Sequence, residues 1–258
     1  MTARLQQDIA AALEVTPDLL PFVPELLADL WALGASLDII MELLGSLDLP
    51  RSTRVLDAGS GKGAVAITLA RKFGFRVFGI DGFQPFIDEA RNRAEAHGVS
   101  DLCRFELGDL REDLTRYRDF DVVVYAALGG ILGTVDQFVG LLRRSVRPGG
   151  YLVIDDGFLA GGEGIREPGC ESYVSHEETL ALLTAHGDEL VREVIVPVED
   201  LRDTNRRQTA LIRTRAEGLA RRYPSAADSL AQYVARQERE CALLETDVVS
   251  AVWLLQRS

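Results

Sequence analysis

The chain has 258 residues, a net charge of −12 and a hydrophobic fraction of 47%. A chain this long can bury a full core without disulfides or metals. The acidic balance argues against a nucleic-acid partner, because affinity for nucleic acid comes largely from basic side chains on phosphates. The three cysteines form no CxxC pair, which suits a reducing compartment. The N-terminus lacks the apolar segment of a signal peptide, and no apolar run is long enough to span a membrane. We therefore expect a cytoplasmic protein.

Residues 1–48 are predicted to form a helical N-terminal cap. Leu26, Leu27, Leu30 and Leu33 recur at helical spacing, and Ser36 is a plausible N-cap for a later helix. Prolines at positions 21 and 24 interrupt the stretch. Two or three short helices are therefore expected rather than a single long one.

From residue 49 to 258, short β-branched runs alternate with helical stretches. Strands are predicted within TRVLDAG, FRVFGID, CRFELGD, FDVVVYAAL, YLVIDDGF, LVREVIVPVE and VVSAVWLLQRS. The predicted helices include one with a capping box from Ser175 to Glu178, and a helical insertion over residues 200–244 that is split at Pro224. The glycine-rich residues 159–174 are predicted to be a mobile loop. This alternation predicts an α/β fold with a parallel sheet covered on both faces.

The stretch VLDAGSGKGAVAITLA, residues 55–70, joins the first strand to a helix through a glycine-rich loop. Glycine lets the backbone approach a ligand closely, and the N–H groups of a helix N-terminus point at that ligand. Gly59, Gly61 and Ala64 fit the dinucleotide-binding pattern GxGxxG/A. Asp81, at the end of the second strand, is placed to accept ribose hydroxyls. Two classes of nucleotide ligand bind such an acid through their ribose, so these features alone do not decide which class of ligand binds here.

The pattern Asp57-x-Gly59-x-Gly61-x-Gly63 resembles the first motif of the class I S-adenosylmethionine-dependent methyltransferases. FGIDGF, FELGDLRE, FDVVVYAALGG and RPGGYLVIDDGF resemble the later motifs of that family, in the same order, so the resemblance covers residues 50–160. It implies a Rossmann-like seven-stranded sheet in the order 3-2-1-4-5-7-6, mostly parallel with the last strand antiparallel, and S-adenosyl-L-methionine as the cofactor. The cofactor-binding residues that it implies are Asp57, Gly59, Ser60, Gly61, Gly63, Asp81, Gly82, Phe83, Asp109, Leu110 and Tyr125.

Within that set, Asp57 is interpreted as a residue on the cationic side of the ligand, since an acid there suits an ammonium or sulfonium and repels a pyrophosphate. The resemblance assigns Asp81 to the ribose and Asp109 to the adenine amine. Asp109 is also a candidate helix N-cap, with Glu112 three residues later. Lys62 could reach the carboxylate of the ligand, but an orientation towards solvent is the favoured interpretation.

Methyl transfer from a sulfonium requires the nucleophile, the methyl carbon and the sulfur in line, and positioning can supply roughly 7–11 kcal/mol without a strong base. Some acceptors also need a base. Two adjacent acids on the fifth strand could begin a metal site, but such a site would also need a carboxylate after the fourth strand. That position holds YAALGG, which has no carboxylate, so no metal is expected. The candidate catalytic residues are Tyr125, Asp155, Asp156, Tyr173 and His176.

Segments outside the sheet are expected to select the substrate. Trp31 could belong to an apolar lid or could simply pack on the sheet. Residues 201–244 contain nine arginines and five acids, a net of +4 (9 − 5). Asn205, Arg206 and Arg207 could hold an anionic substrate there, although a salt-bridged, solvated helix pair is the favoured interpretation.

The fourth motif lacks the Asn/Asp-Pro-Pro-Tyr/Phe element of amino-methylating enzymes and the Pro-Cys nucleophile of cytosine methylation. Methyl transfer to a small molecule is therefore predicted, with no membrane partner. Three alternatives remain. They are an RNA or protein methyltransferase that uses the arginine-rich hairpin, a protein that binds the cofactor without turnover and, third, a nicotinamide oxidoreductase.

Overall fold

The computed structural model describes residues 3–13, 15–161 and 173–258, so most of the predicted mobile loop, residues 162–172, lies outside the described residues. No helix in these three segments combines the length and the apolar character needed to cross a bilayer. The strands are β1 (Arg54–Ala58), β2 (Arg76–Asp81), β3 (Cys103–Leu107), β4 (Phe120–Ala126), β5 (Val146–Leu159), β6 (Glu189–Ile195) and β7 (Val248–Gln256). The α-helices are α1 (Ala3–Ala12), α2 (Val23–Leu26), α3 (Leu37–Gly45), α4 (Ala64–Phe73), α5 (Gln84–Ala96), α6 (Leu110–Asp113), α7 (Val135–Leu142), α8 (His176–Leu183), α9 (Val198–Arg222) and α10 (Ala227–Thr246).

The seven strands form one sheet in the order β3-β2-β1-β4-β5-β7-β6. Strand β1 pairs in parallel with β2 and β4, β2 pairs in parallel with β3, and β4 pairs in parallel with β5. Strands β6 and β7 are antiparallel to each other. The central strands are apolar on both faces, and Val55, Leu56 and Val123 are fully buried, as expected for a parallel sheet covered by helices. The predicted fold class and strand order are confirmed.

Strand order reverses at β1, because the chain moves outward through β2 and β3 and then returns to place β4 on the other side of β1. In open α/β sheets, ligands bind at such a switch point, beyond the carboxyl ends of the strands. The loops after β1, β2, β3, β4 and β5 all leave from this carboxyl edge. The edge therefore gathers the residues that the sequence motifs single out.

Helix α4 begins directly after the glycine loop. Gly63 precedes it with φ of +78°, and Gly74 ends it with φ of +75°, both in the left-handed region that glycine tolerates. Between them lies an apolar face that includes the fully buried Ala66, Ile67 and Leu69. Small and aliphatic residues on this face bring the helix onto β1, β2 and β3.

The chain divides into two compact units, one with residues 1–31 and 196–249 and the other with residues 32–195 and 250–258. This differs from the predicted division at residue 48. Helix α3 belongs to the unit that contains the sheet, whereas α1 and α2 belong with α9 and α10. Asp29 forms an ion pair with Arg215 at 2.6 Å, a contact between positions 186 residues apart in the chain. Local sequence patterns carry no sign of such a pairing.

The long insertion before β7 is the predicted helix pair, with a short 3-10 segment at Pro224–Ala226 between α9 and α10. At least five of its arginines form ion pairs with acids. Within the described residues, the paired arginines include Arg202, Arg206, Arg213, Arg215 and Arg222. These contacts support the interpretation of a salt-bridged, solvated hairpin.

Candidate active site

The loop after β1 turns on three glycines with positive φ. The angles are +80° at Gly59, +48° at Gly61 and +78° at Gly63. The backbone N–H groups of Gly59 and Ser60 both donate to the carbonyl oxygen of Ile80, at 2.8 and 2.9 Å. The loop is thereby fastened to the end of β2. The hydroxyl oxygen of Ser60 is buried and has no hydrogen-bond partner in the structure.

Asp81 ends β2, and its carboxylate connects two backbone segments. One oxygen, Oδ2, accepts the N–H of Gly61 at 2.9 Å, and the other, Oδ1, accepts the N–H of Phe83 at 2.8 Å. Desolvation raises the pKa of this carboxyl to about 6, although the two backbone N–H groups act to lower it. A carboxylate oxygen can accept more than one hydrogen bond, so Asp81 retains capacity for ligand hydroxyls.

Asp57 is buried beneath the glycine loop, with 2% of its surface exposed. Its Oδ2 accepts the N–H of Ala66, in the first turn of α4, at 3.2 Å. The pKa of Asp57 is raised to about 7, because burial and, to a smaller extent, the negative charge of Asp81 outweigh the hydrogen bond from the N–H of Ala66. The carboxylate therefore stabilises the N-terminus of α4 in this structure, and its predicted place on the cationic side of a ligand stays a prediction.

Lys62, in the middle of the loop, does not point to solvent, so the favoured interpretation of this residue was wrong. Its side chain is fully buried, and the ammonium lies 3.1 Å from Oε2 of Glu89 on α5. The same ammonium is 5.6 Å from the ring centroid of Phe86. Burial in an ion pair satisfies the charge, and nothing in the spacing of the loop residues revealed that partner.

The segment after β2 carries Gly82 and Phe83, which the resemblance places beside the adenosine. Phe83 is buried and packs edge-on against Phe86, with ring centroids 4.9 Å apart. Leu110, the predicted ring contact, is buried at the start of α6. The segments after β2 and β3 lie side by side, since the N–H of Gly108 donates to the carbonyl oxygen of Asp81 at 3.0 Å.

Asp109 is the N-cap of α6, as predicted, and accepts the N–H of Arg111 at 3.0 Å. The reciprocal partner is different from the predicted Glu112. The side chain of Asp113 accepts the N–H of Asp109 at 2.9 Å. The carboxylate of Asp109 also pairs with the guanidinium of Arg111 at 2.7 Å, so a ligand amine would share it with an arginine.

Two leucines lie over the glycine loop, and neither was among the predicted site residues. A Cβ placed on Gly59 would come within 2.3 Å of Leu128, and one on Gly61 within 3.0 Å of Leu33. Leu33 was expected to continue a helical stripe, but α2 ends at Leu26 and Leu33 has a φ of +50°. Positive φ at a branched residue indicates a locally constrained backbone. The glycines thus provide the space that these leucines fill.

Asp155, near the end of β5, is buried and holds the segment before α3. Its Oδ2 accepts the N–H of Ser36 at 2.5 Å, and its Oδ1 accepts the hydroxyl of Ser36 at 3.1 Å. Ser36 stands at the N-cap position of α3, but its hydroxyl makes this contact instead of the expected cap within the helix. Desolvation raises the pKa of Asp155 to about 6. Both oxygens are therefore already engaged.

Asp156 is half-buried and follows Asp155 on β5. Its pKa is raised to about 7, because desolvation, helped by the charge of Asp155, outweighs the hydrogen bonds from the N–H of Gly157 and from Tyr173. Tyr125, at the end of β4, is fully buried, and its hydroxyl donates to the carbonyl oxygen of Gly129 at 2.8 Å. Burial and the charge of Asp156 raise the pKa of Tyr125.

His176 begins α8 and has a structural set of contacts. Its Nε2 lies 2.8 Å from Oε1 of Glu193, which also accepts the indole N–H of Trp253 at 2.7 Å. The imidazole packs against Phe158 with ring centroids 4.4 Å apart. These contacts join α8 to β5, β6 and β7, and they give His176 a role in packing.

The predicted substrate residues belong to the helical unit. The side-chain amide of Asn205 donates to Glu245 at 3.0 Å, and Arg206 lies 3.7 Å from Asp203. Arg207 is exposed on α9, and Trp31 is partly exposed. The predicted cofactor and catalytic residues all belong to the unit that contains the sheet.

Comparison with known proteins agrees with this geometry. Residues 55–150 match the family described as "Methyltransferase domain". A protein named "Uncharacterized protein YjhP", from Escherichia coli (strain K12), is 34% identical over 113 residues, which are 43% of this chain and 44% of that protein. Three further relatives, 32–43% identical, are named as methyltransferases of release factor glutamine, of tRNA 5-carboxymethoxyuridine and of ribosomal protein L11. The chain spans less than half the length of each of these relatives.

Two solved structures share nearly the whole architecture. A SAM-dependent methyltransferase from Thiobacillus denitrificans, in complex with S-adenosyl-L-homocysteine, has a TM-score of 0.77 at 24% identity and covers 92% of this chain and 98% of its own. The corresponding complex from Geobacter sulfurreducens has a TM-score of 0.73 at 26% identity and covers 87% and 92%. The chain therefore has the class I, Rossmann-like fold of S-adenosylmethionine-dependent methyltransferases, and its residues 55–150 match their methyltransferase domain.

Proposed function

We propose that the chain binds S-adenosyl-L-methionine at the carboxyl edge of β1 and β2 and transfers its methyl group to a small molecule. The observation that carries this proposal is the carboxylate of Asp81, which ties the N–H groups of Gly61 and Phe83 together at the switch point of the sheet. The matches to methyltransferases, two of them in complex with S-adenosyl-L-homocysteine, support the choice of ligand.

The residues present fit that ligand. Asp81 has spare acceptor capacity for two ribose hydroxyls, and Phe83 offers an apolar surface beside them. The buried hydroxyl of Ser60 lacks a partner, and a polar ligand group would supply one. Asp57 and Asp81 together concentrate negative charge beneath the loop, which favours a ligand that carries an ammonium and a sulfonium.

When bound, S-adenosyl-L-methionine supplies a methyl group that is already activated on a sulfonium. The chain then has to bind the cofactor, orient it against the acceptor and exclude water from the site. Asp81 orients the nucleoside side, the glycine loop holds the amino-acid tail and ribose, and Leu33 and Leu128 present apolar surface over the loop. A dry surface of this kind strengthens electrostatic contacts in the site.

Asp156 is the residue that we assign to accept a proton from an acceptor that needs deprotonation. Its raised pKa, to about 7, lets it be ionised and still basic at neutral pH. Tyr173 donates a hydrogen bond to it and orients the carboxylate. Tyr125 is a poor base, because its hydroxyl is committed to a backbone carbonyl and its pKa is raised.

A small acceptor is preferred to RNA or protein. The hairpin arginines that would bind phosphates are engaged in ion pairs in at least five cases, and the whole chain carries −12. A cytoplasmic location is part of the same proposal. Because some relatives are named for tRNA and protein substrates, RNA and peptide acceptors have to be tested alongside small molecules.

Calorimetric titration with S-adenosyl-L-homocysteine, with NAD as the parallel ligand, tests the cofactor. We expect micromolar binding of the first ligand and none of the second. Binding of NAD alone would refute the proposal. A panel of amine, hydroxyl, carboxylate, thiol, RNA and peptide acceptors then tests turnover, and methylation of RNA or peptide alone would refute the small-molecule part.

A further inference from the structure

We propose that Lys62 is a positioning residue that fixes the glycine loop against α5 and so sets the separation between the loop and Phe83. The inference rests on the proposed function, because it concerns two sides of the same cofactor cleft. Lys62 acts through the backbone that it holds and through the start of α5, and no contact of Lys62 with the ligand is invoked.

Lys62 carries a buried charge. The side chain of Lys62 has no exposed surface, while its partner Glu89 keeps 27% of its side chain exposed and also pairs with Arg93 at 2.6 Å. A buried ammonium adds little net stability relative to an apolar side chain of similar size, because its desolvation offsets the attraction to its partner. In some proteins such groups are retained because they specify one arrangement of the chain over another, and we infer that role for Lys62.

The loop has few side chains of its own that could hold it in place. Gly61 and Gly63, on either side of Lys62, have no side chains, and the hydroxyl of Ser60 has no partner. Asp81 holds the N–H of Gly61 from outside the loop, and Lys62 is the loop residue whose own side chain holds the Gly61–Gly63 turn to a neighbouring element. Gly61 and Gly63 have positive φ, and glycine can adopt many other backbone conformations. A side-chain anchor therefore restricts this turn more than it would restrict a less flexible segment.

The side chain of Lys62 is held on α5, close to Phe83. Glu89 and Phe86 are in the first two turns of α5, the helix that starts immediately after Phe83. The ammonium of Lys62 is 5.6 Å from the ring centroid of Phe86, and that ring packs edge-on against Phe83. Lys62 thus belongs to the glycine loop, which is proposed to hold the amino-acid tail, and contacts the helix that begins directly after Phe83, the residue predicted to lie beside the adenosine.

The chain offers a matched control, since it contains only two lysines. Lys72 is exposed on α4, where its ammonium lies 5.3 Å from the ring centroid of Phe73. We would measure binding of S-adenosyl-L-homocysteine and of methylthioadenosine, which lacks the amino-acid tail, to wild-type, Lys62→Met and Lys72→Met proteins. The temperature would be far below the melting temperature of each variant.

Lys62→Met is expected to weaken S-adenosyl-L-homocysteine binding at least tenfold and methylthioadenosine binding less than threefold. Only the larger ligand needs the loop and the adenosine surface at a fixed separation. Lys72→Met should leave both affinities within twofold. A folded Lys62→Met protein with unchanged affinity for S-adenosyl-L-homocysteine, or with equal losses for both ligands, would overturn the inference. Failure of wild-type protein to bind S-adenosyl-L-homocysteine would instead refute the proposed function.

Acylation of wild-type protein with an amine-reactive ester gives a test that needs no variant. Saturating S-adenosyl-L-homocysteine should slow acylation of Lys62 at least tenfold and leave Lys72 unchanged, because Lys62 reacts only when the loop opens. Equal rates at Lys62 with and without the ligand would overturn the inference, including in the case where Lys62→Met does not fold.

Discussion

Replacement of Asp81 by asparagine separates ligand binding from folding at this site. The carboxylate accepts N–H groups from Gly61 and Phe83, one on each oxygen. Asparagine keeps one acceptor oxygen and turns an amide N–H towards the other backbone N–H. One backbone hydrogen bond is therefore lost, together with the negative charge that the ribose hydroxyls are proposed to contact.

The effect of Asp81→Asn on stability is expected to be small, because two contributions oppose each other. A hydrogen bond to a charged group contributes about 1.5–3 kcal/mol. The pKa of Asp81 is raised from an ordinary 3.8 to about 6, which corresponds to roughly 3 kcal/mol of cost for keeping the group ionised at neutral pH. Asparagine removes that cost, so the melting temperature should move by only a few degrees.

The effect on affinity has no such compensation. Loss of a charged acceptor for ribose hydroxyls should weaken S-adenosyl-L-homocysteine binding by about 1.5–3 kcal/mol, roughly ten- to a hundredfold in Kd. Calorimetric titration measures the affinity and thermal unfolding measures the stability. Asp88→Asn, at a residue of α5 whose side chain is 58% exposed, is the control and should change neither. A stable Asp81→Asn protein with wild-type affinity would refute the ribose assignment.

Three further predictions concern charge in the sheet unit. Affinity for S-adenosyl-L-homocysteine should fall as pH is lowered from 8 through about 6, because a protonated Asp81 donates a hydrogen bond where the ribose hydroxyls need an acceptor. A calorimetric affinity that stays constant from pH 8 to 5 would contradict this. Without ligand, unfolding free energy should rise as pH falls from 8 towards 5, because the raised pKa of Asp57 makes the folded state bind more protons than the unfolded state; denaturant titrations at each pH test the sign. Asp188→Ala leaves Arg143 without the buried carboxylate that it contacts at 2.8 Å, and it should lower the free energy of unfolding by about 3–5 kcal/mol. Urea unfolding measures this loss, and a loss under 1 kcal/mol would show that the pair contributes little to stability.

The sequence predicted those features that depend on local pattern or on ordered motifs. The alternation of apolar strands with helices predicted a parallel sheet, and the glycine loop lies where its spacing placed it, between β1 and α4. The N-cap role of Asp109 also followed from its neighbours in the chain. These features involve residues within a few positions of one another, so the sequence carries their signal directly.

Contacts between distant positions were not predictable in the same way. The link from Ser36 to Asp155 spans 119 residues, and the pair of Lys62 with Glu89 depends on how α5 packs beside the loop. Leu33 and Leu128 read as ordinary apolar residues, and only the space left by glycines identifies their place over the loop. Sequence spacing gives the element on which a residue lies, while the partner depends on tertiary packing.

The order of synthesis has a consequence for the helical unit. Residues 1–31 emerge from the ribosome well before α9 and α10, with which they form a compact unit and which are made only after β6. At roughly 5–20 residues per second, the early segment waits on the order of ten seconds or more for these helices. Throughout that interval, Leu19, Val23 and Leu26, all buried in the finished unit, have nothing of their own unit to cover them. We therefore expect a ribosome-associated chaperone to bind nascent chains of this protein at these uncovered apolar residues.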